Sequence, residues 1–324
     1  MRVGIDVSPL RQTRAGTARY LRGIVPHLEQ LVDLETLTWG GSRTAATVAR
    51  DAWWYPVALP HRARTVDVLH CSTFRGPVNA PCPVVVTVHD LAVLRHPEAF
   101  NRWTRTYSRV VVPRVVRAAE RVIAVSEFTK RELVELLGVV EDAIRVIPNA
   151  VGDPFVAGGT RADGEYVLAV GTVEPRKNLL RLAKAAQLTG LELRVAGAPG
   201  WGNGDLRGGG VRLLGFVDDE ELARLYRGAL CVAYTSLYEG FGIPVLEALA
   251  CGVPVVTSAG TAMEEVADGA AVLVDPLDPD AIAAGIREAI GRRHELAALG
   301  LDRARLFSWR ASAEATAAVY REVA

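Results

Sequence analysis

Short apolar runs alternate with helical patterns from one end of the chain to the other. A strand covered on both faces reads as a continuous apolar run, so this alternation predicts parallel sheets with helices on both sides. In the first half the runs predict strands over residues 2–6, 34–39, 66–70, 84–88, 121–125 and 145–147. Helices are predicted over about 17–31, 102–119 and 127–137. Pro26 and Pro113 fall inside two of these helices, which should kink or end early. The second half repeats the design, with strands over 166–170, 192–196, 211–214, 230–234, 255–258 and 271–274. Its helices are predicted over 179–188, 219–228, 244–250, 263–267 and 279–292, with a last pair after His294 that ends in 309–323.

Between the halves, residues 151–165 carry four Gly, one Pro and two Asp without strong periodicity, and read as a linker. A chain of 324 residues suits about two domains. The expected division is 1–152, 165–308 and a final helix, 309–324, long enough to cross back onto the first domain. The fold class is α/β.

Composition narrows the function. Half of the residues are hydrophobic and formal net charge is zero, which argues against a general nucleic-acid binder. The charge is unevenly placed. Residues 1–153 hold 20 Lys and Arg against 15 Asp and Glu, a balance of +5; the rest hold 17 against 22, a balance of −5. A basic first half favours an acidic acceptor or a lipid surface, and an uneven solvated surface accounts for it as well. Arg102, Arg105 and Arg109 share one face of a predicted helix. They read either as a basic face for a phosphorylated or lipid-linked acceptor, touching a membrane peripherally, or as an ordinary solvated face. Cys71, Cys82, Cys231 and Cys251 form no Cys-x-x-Cys pair and read as thiols in a reducing compartment. No signal peptide precedes the first strand and no apolar run approaches the ~20 residues of a membrane span. The expected location is the cytoplasm.

The most informative stretch is Glu-Gly-Phe-Gly-Ile-Pro-Val-Leu-Glu at 239–247. Gly240 and Gly242 let the backbone turn sharply close to a ligand, and Pro244 suits a helix start. Glu239 is expected on a loop at a strand end, and Glu247 on the first turn of the next helix. The amides of Gly242 and Ile243 open that helix, where anions bind. Such a segment suits a sugar joined to a nucleotide diphosphate; the plainer alternative is a strand–turn–helix corner with two solvated glutamates. The first strand of the second half ends in Gly-Thr-Val-Glu-Pro-Arg-Lys-Asn at 171–178. Asn178 can cap the following helix. Arg176 and Lys177 stand where a diphosphate would sit. Neighbouring side chains on a loop usually diverge, so one of the two is expected to reach in, and Lys177 is chosen. In the first half, His89-Asp90 ends the strand 84–88, and Gly16 lies at the mouth of the first helix; both are places where open α/β sheets meet ligands. The glycine-rich stretch 197–210 does not spell Gly-x-Gly-x-x-Gly, so a nicotinamide dinucleotide reading is set aside. No carboxylate cluster calls for a metal, and no cofactor is expected.

Taken together, these residues resemble the retaining glycosyltransferases of the GT-B fold, family 4 or group 1. The resemblance covers nearly the whole chain. It is carried by Gly16, by Val-Thr-Val-His-Asp at 86–90, by Val-Ser-Glu-Phe-Thr-Lys at 125–130, by Val-Ile-Pro-Asn at 146–149, by 171–178 and by the Glu-x7-Glu element at 239–247. It implies two Rossmann-like domains facing a cleft, and metal-free transfer of a hexose from a nucleotide-sugar with retention. Glu239 would lie beside the donor sugar, with Phe241 and Gly242 offering amides to it and Ile243 one to phosphate. Glu247 would hold the ribose, and Lys177 with Arg176 would balance the departing diphosphate. His89 would touch the sugar, Gly16 would line the phosphate or acceptor side, and the loop reaching Val217 would contact the base. The chain departs from the pattern at Thr172, where relatives often carry arginine, at Ala150, where they carry glycine, and in having the single Gly16. The wording of 171–178 is similar to that of mannosyltransferases using GDP-mannose. The acceptor implied is a glycan, a lipid-linked sugar or a small molecule. A sugar-nucleotide 2-epimerase of the same architecture, or a binding-only relative, is the alternative.

Overall fold

The computed structural model describes residues 1–12, 16–41, 44–200, 206 and 210–324. The chain divides into two units, Met1–Ala150 with Ser308–Ala324, and Val151–Phe307.

Unit 1 is built on six parallel strands: β1 (Arg2–Asp6), β2 (Asp33–Leu37), β3 (Val68–Cys71), β4 (Val84–Val88), β5 (Arg121–Ala124) and β6 (Ile144–Val146). Their order across the sheet is β2-β1-β3-β4-β5-β6. The chain therefore leaves β1 for one side and returns to the other, which makes the β1/β3 boundary a switch point. Every residue of β3 and β4 is buried, and the two polar side chains among them, His70 and Thr87, meet at 2.8 Å. The expected helix over 102–119 is two helices, Arg102–Val110 and Val112–Ala118. Pro113 sits in the first turn of the second, where its missing N–H costs nothing. The helix Gly16–Leu28 runs only two residues beyond Pro26.

The terminal helix Trp309–Val323 belongs to unit 1 for visible reasons. Its inward face joins the core formed by Val3, Ile5, Leu21 and Ile24. Trp309 lies over Gly23, where a Cβ would come within 2.1 Å of the indole ring. Tyr320 Oη meets the buried His70 Nδ1 at 2.6 Å, and Ser312 Oγ donates to Pro148 O at 2.7 Å.

Unit 2 has the strands β7 (Tyr166–Val170), β8 (Glu192–Ala196), β9 (Val211–Gly215), β10 (Cys231–Tyr234), β11 (Val255–Ser258) and β12 (Val272–Val274). They are ordered β12-β11-β10-β7-β8-β9, all parallel. This is the doubly wound Rossmann order, with its switch point between β7 and β10. Residues 151–165, expected as a linker, are instead packed on this unit. Phe155 is buried edge-on to Tyr226 at 5.9 Å. The Arg227 guanidinium donates to the carbonyls of Pro154, Val156 and Thr160, so a segment without regular structure still has its polar groups satisfied. All four cysteines are free. Among the described residues no helix is long and apolar enough to cross a membrane.

Candidate functional site

Open α/β sheets bind ligands outside the carboxyl ends of strands at the switch point. In unit 2 those ends belong to β7 and β10, and they lead into the two segments richest in candidate chemistry.

After β7, Gly171 takes a φ of +135°, in the left-handed region that favours glycine. The loop is then laced to the end of β8: Gly171 N donates to Ala196 O at 2.9 Å and Val173 N to Ala198 O at 3.1 Å. Gly197 makes this close approach possible, since a Cβ there would lie 1.9 Å from Gly171 O. A short 3-10 turn, Pro175–Lys177, follows. Asn178 does not cap the next helix with its side chain. It adopts the left-handed conformation, and its amide donates to Thr235 O at 3.1 Å and Pro276 O at 2.6 Å. It thus ties the β7 loop to the β10 loop. Leu237 N donating to Arg176 O at 2.8 Å adds a second tie.

These ties bring Arg176 and Lys177 onto one carboxylate. Arg176 Nη1 is 2.8 Å from Glu239 Oε2, and Lys177 Nζ donates to Glu239 Oε1. The expectation that the two side chains diverge is corrected. The tight 3-10 turn and the Arg176 bond to Tyr238 O, 2.8 Å, fold both cations toward the same loop. Tyr234, the last residue of β10, closes the group: Lys177 Nζ donates to its hydroxyl at 2.6 Å, and that hydroxyl donates to Glu239 Oε1 at 3.0 Å. Glu174 takes the outer edge of the Arg176 guanidinium at 2.8 Å. The four charges, two of each sign, balance.

Burial pushes the Glu239 carboxyl up, but the charges of Lys177 and Arg176 outweigh it and hold it down to about 2. Glu239 is therefore ionised at neutral pH. Burial lowers the Lys177 ammonium below the ordinary lysine value of 10.5, against the pull of Glu239. The Tyr234 phenol is pushed well up by burial and by the Glu239 charge, so it stays a neutral donor.

Three residues beyond Glu239, Gly242 has a φ of +98° and precedes the helix Ile243–Ala250. A side chain there would be strained and would also meet Met263 Cγ at 2.8 Å. Pro244 stands at the second helical position, one later than expected. As the first helical residue, Ile243 has an amide with no intrahelical acceptor, which suits an anion; Pro244 carries no N–H, and the Val245 amide donates to Gly242 O at 2.9 Å. Phe241 is buried, its ring edge-on to Phe307 at 5.9 Å. Glu247 lies in the second turn, not the first. It is buried and accepts from Tyr226 Oη at 2.8 Å. Burial of both glutamates removes the plain reading of two solvated carboxylates. Val217 lies half-buried in the loop after β9, next to Phe216, which is 55% exposed.

In unit 1, His89 follows β4. Its Nε2 faces Ser72 O at 3.0 Å; a carbonyl only accepts, so the proton is on Nε2 and Nδ1 is left as an acceptor. Burial lowers its pKa, keeping the ring neutral, and it packs edge-on to Tyr20 at 4.8 Å. Gly16 begins the helix Gly16–Leu28, and residues 13–15 of the preceding loop lie outside the described residues. So does most of the glycine-rich stretch 197–210, namely 201–205 and 207–209. Arg102, Arg105 and Arg109 are exposed on the helix Arg102–Val110, which fits both readings given for them. Among the described residues no three His, Cys, Asp or Glu side chains cluster to hold a metal.

Sequence reasoning passed over Tyr234 and Tyr226. The one available signal was a polar aromatic residue ending an otherwise apolar run at 230–234.

Comparison with known proteins finds similarity along the chain. The model for "Glycosyl transferases group 1" matches residues 155–300, and that for "Glycosyltransferase Family 4" matches 16–153. The chain is 34% identical over 256 residues to the O-antigen chain mannosyltransferase B of Escherichia coli, covering 69% of this chain and 66% of that protein. It is 30% identical over 344 residues to the D-inositol 3-phosphate glycosyltransferase of Mycolicibacterium smegmatis, covering 98% of this chain and 74% of that one. Among solved structures, the sucrose-phosphate synthase of Thermosynechococcus elongatus superposes with a TM-score of 0.78 over 99% of this chain and 98% of its own, at 19% identity. With the two family models, a relative 30% identical over 98% of this chain and the shared GT-B fold, the chain belongs to the group 1 glycosyltransferases, glycosyltransferase family 4.

Proposed function

We propose that this protein transfers a hexose, with retention, from a nucleotide-diphosphate sugar to a sugar-bearing acceptor, and that the donor is GDP-mannose. The observation that carries the reading is the convergence of Arg176 and Lys177 on Glu239 at the β7/β10 switch point, three residues before the helix start at Gly242. A diphosphate needs positive charge and a helix-start amide; this loop supplies Arg176, Lys177 and the Ile243 amide, with Glu239 as the counter-ion of the two cations until the ligand arrives. On binding, the Lys177 ammonium turns from Glu239 to the diphosphate, and the Ile243 amide takes a phosphate oxygen. Glu239, kept ionised by Arg176, then faces the sugar ring as positive charge develops on it. The bond from the anomeric carbon to the diphosphate breaks. The diphosphate, on the face it vacates, takes the proton of the acceptor hydroxyl as the new bond forms on that face. Retention follows, and no strong base is required. Glu247, oriented by Tyr226, holds the ribose hydroxyls, Val217 borders the base, and Phe241 and Gly242 offer amides to the sugar. In unit 1, Gly16 lines the acceptor side and the His89 Nδ1 accepts from a sugar hydroxyl. The positive charge that a metal would supply comes here from Arg176 and Lys177. The mannosyl donor is favoured by the relative named as a mannosyltransferase and by the wording of 171–178.

A thermal-shift series with GDP-, UDP- and dTDP-sugars tests this. A ligand at 100 times its Kd adds about 2.7 kcal/mol of stability. GDP-mannose is expected to raise the melting temperature by several degrees and the other sugars by less. No shift with any nucleotide-sugar refutes the reading, and a larger shift with a UDP-sugar replaces the donor. Conversion of the donor to its epimer without any acceptor identifies an epimerase instead.

A further inference from the structure

The β1/β3 switch point of unit 1 holds a polar cluster that the donor reading leaves unused. Asp6 ends β1 and is buried. Its Oδ1 accepts from Ser8 Oγ at 2.5 Å and Ser8 N at 3.1 Å, while Oδ2 has no partner among the described residues. Ser8 Oγ in turn accepts from Trp39 N at 3.0 Å. Arg50 opens the π-helix Arg50–Ala58 and is buried, and its Nε and Nη1 have no partner among the described residues. Its charge reaches the Asp6 carboxyl, and the Trp54 indole approaches that carboxyl short of hydrogen-bond geometry. Thr38 Oγ1, just past β2, has no partner among the described residues either. A buried polar group left alone costs about 1–3 kcal/mol. Several in one region mark a place that water or a ligand completes.

The aromatic residues around this cluster indicate which partner. The Trp39 ring lies 5.5 Å from that of Trp53 and is stacked 6.5 Å from that of Trp54. Trp53 is 49% exposed. A half-exposed indole beside buried donors and acceptors matches a sugar ring, which is apolar on one face and polar at its edge. The charges select its class. Arg75 and Asp51 neutralise one another at 2.7 Å, and Trp103 Nε1 donates to Asp51 at 3.0 Å. Arg50 and Asp6 remain; burial pushes the Asp6 carboxyl up while Ser8 and the Arg50 charge pull it down, and together the two side chains offer a polyhydroxyl ligand both donors and acceptors. The cluster also adjoins His89: Ser72 Oγ donates to Asp6 O at 2.6 Å, and His89 Nε2 donates to Ser72 O.

We infer that Asp6, Arg50 and Trp54, with the indoles of Trp39 and Trp53, form a subsite for a neutral sugar residue of the acceptor. The inference rests on the transferase reading above and assigns its acceptor class. Titrating the full chain with mannotriose and maltotriose, followed by saturation-transfer NMR, tests it. A saturable response is expected from the wild type. Trp53→Ala, at a half-exposed position, should weaken binding by about tenfold or more at an unchanged melting temperature. Arg50→Lys, which keeps the charge and loses the fork, should weaken it as well. The inference is overturned by no saturable response to either trisaccharide, by wild-type affinity in Trp53→Ala, or by inositol phosphate binding more tightly than both. Its failure is separable from that of the donor reading. A chain that binds nucleotide-sugars and neither trisaccharide loses only the subsite. A chain that binds a trisaccharide at Trp53 and no nucleotide-sugar loses only the donor assignment.

Discussion

Glu239→Gln is expected to lower turnover by about 10²–10³-fold, the usual effect of removing one preorganised electrostatic partner of a transition state. Gln is the informative replacement because it keeps the side chain's volume and an acceptor oxygen for Lys177. Like Ala it removes the charge that Arg176 and Lys177 share, and breaking a buried pair from one side costs about 3–5 kcal/mol, so a lowered melting temperature is expected beside the lost turnover. Lys177→Ala should also lower turnover by orders of magnitude, with a smaller stability cost, because Arg176 still neutralises Glu239. Steady-state rates and melting temperatures of the two variants, measured side by side, check this. Near-normal turnover in either removes the proposed site. The acid limb of stability supplies an independent check. The Glu239 pKa is depressed in the folded state, from an ordinary 4.5 to about 2. Its ionisation therefore adds stability above the ordinary value, and that stability is lost as pH falls through the folded value. Over that window the wild type should surrender up to about 3 kcal/mol that the Gln variant never had.

Gly197→Ala is the second large effect, although Gly197 is in no proposed contact with donor or acceptor. The new methyl would fall 1.9 Å from Gly171 O and 2.4 Å from Gly171 C. These are backbone atoms with no rotamer to escape into. The strands must part, and the bonds Gly171 N to Ala196 O and Val173 N to Ala198 O are lost or stretched. The loop that moves carries Arg176 and Lys177. A shift of about 1 Å in positioning groups can cost on the order of 10²-fold in rate, and overpacking costs about 1–3 kcal/mol. Gly291→Ala is the control: a Cβ there meets nothing within 4 Å, and surface changes of that kind stay within about 0.5 kcal/mol. The expected outcome is a severe loss of kcat/KM and a lowered Tm for Gly197→Ala only. Equal behaviour of the two variants contradicts the lacing described for this loop.

What could be read from the chain alone was local. The strands β1, β4, β7, β8 and β11 fall where predicted: β4 and β7 because a doubly covered strand reads as a nearly continuous apolar run, and β1 and β8 although charged residues interrupt theirs. The turn at Gly242 was legible since glycine followed closely by proline has few other uses. What depended on packing was not legible. Residues 44–65 form short helices, among them the π-helix Arg50–Ala58, but Trp53, Trp54, Pro56 and Pro60 leave no helical period to recognise. Residues 151–165 looked like a linker because their anchor, Arg227, lies some 70 positions away, as the bonds to Pro154 and Val156 show. The convergence of Arg176 and Lys177 depends on how the β10 loop docks against the β7 loop, which no spacing along the chain encodes. Tyr234 was missed for the same reason.

The central claim is that this arrangement holds a diphosphate, and calorimetric titration measures it most directly. The nucleoside diphosphate favoured by the thermal-shift series is compared with its own monophosphate, on the wild type and on Lys177→Ala. Charge-assisted hydrogen bonds to the second phosphate should make the diphosphate bind about 10–100-fold more tightly to the wild type, and Lys177→Ala should erase most of that difference while sparing the monophosphate. Equal affinity of the wild type for both nucleotides, or an undiminished preference in Lys177→Ala, would contradict it.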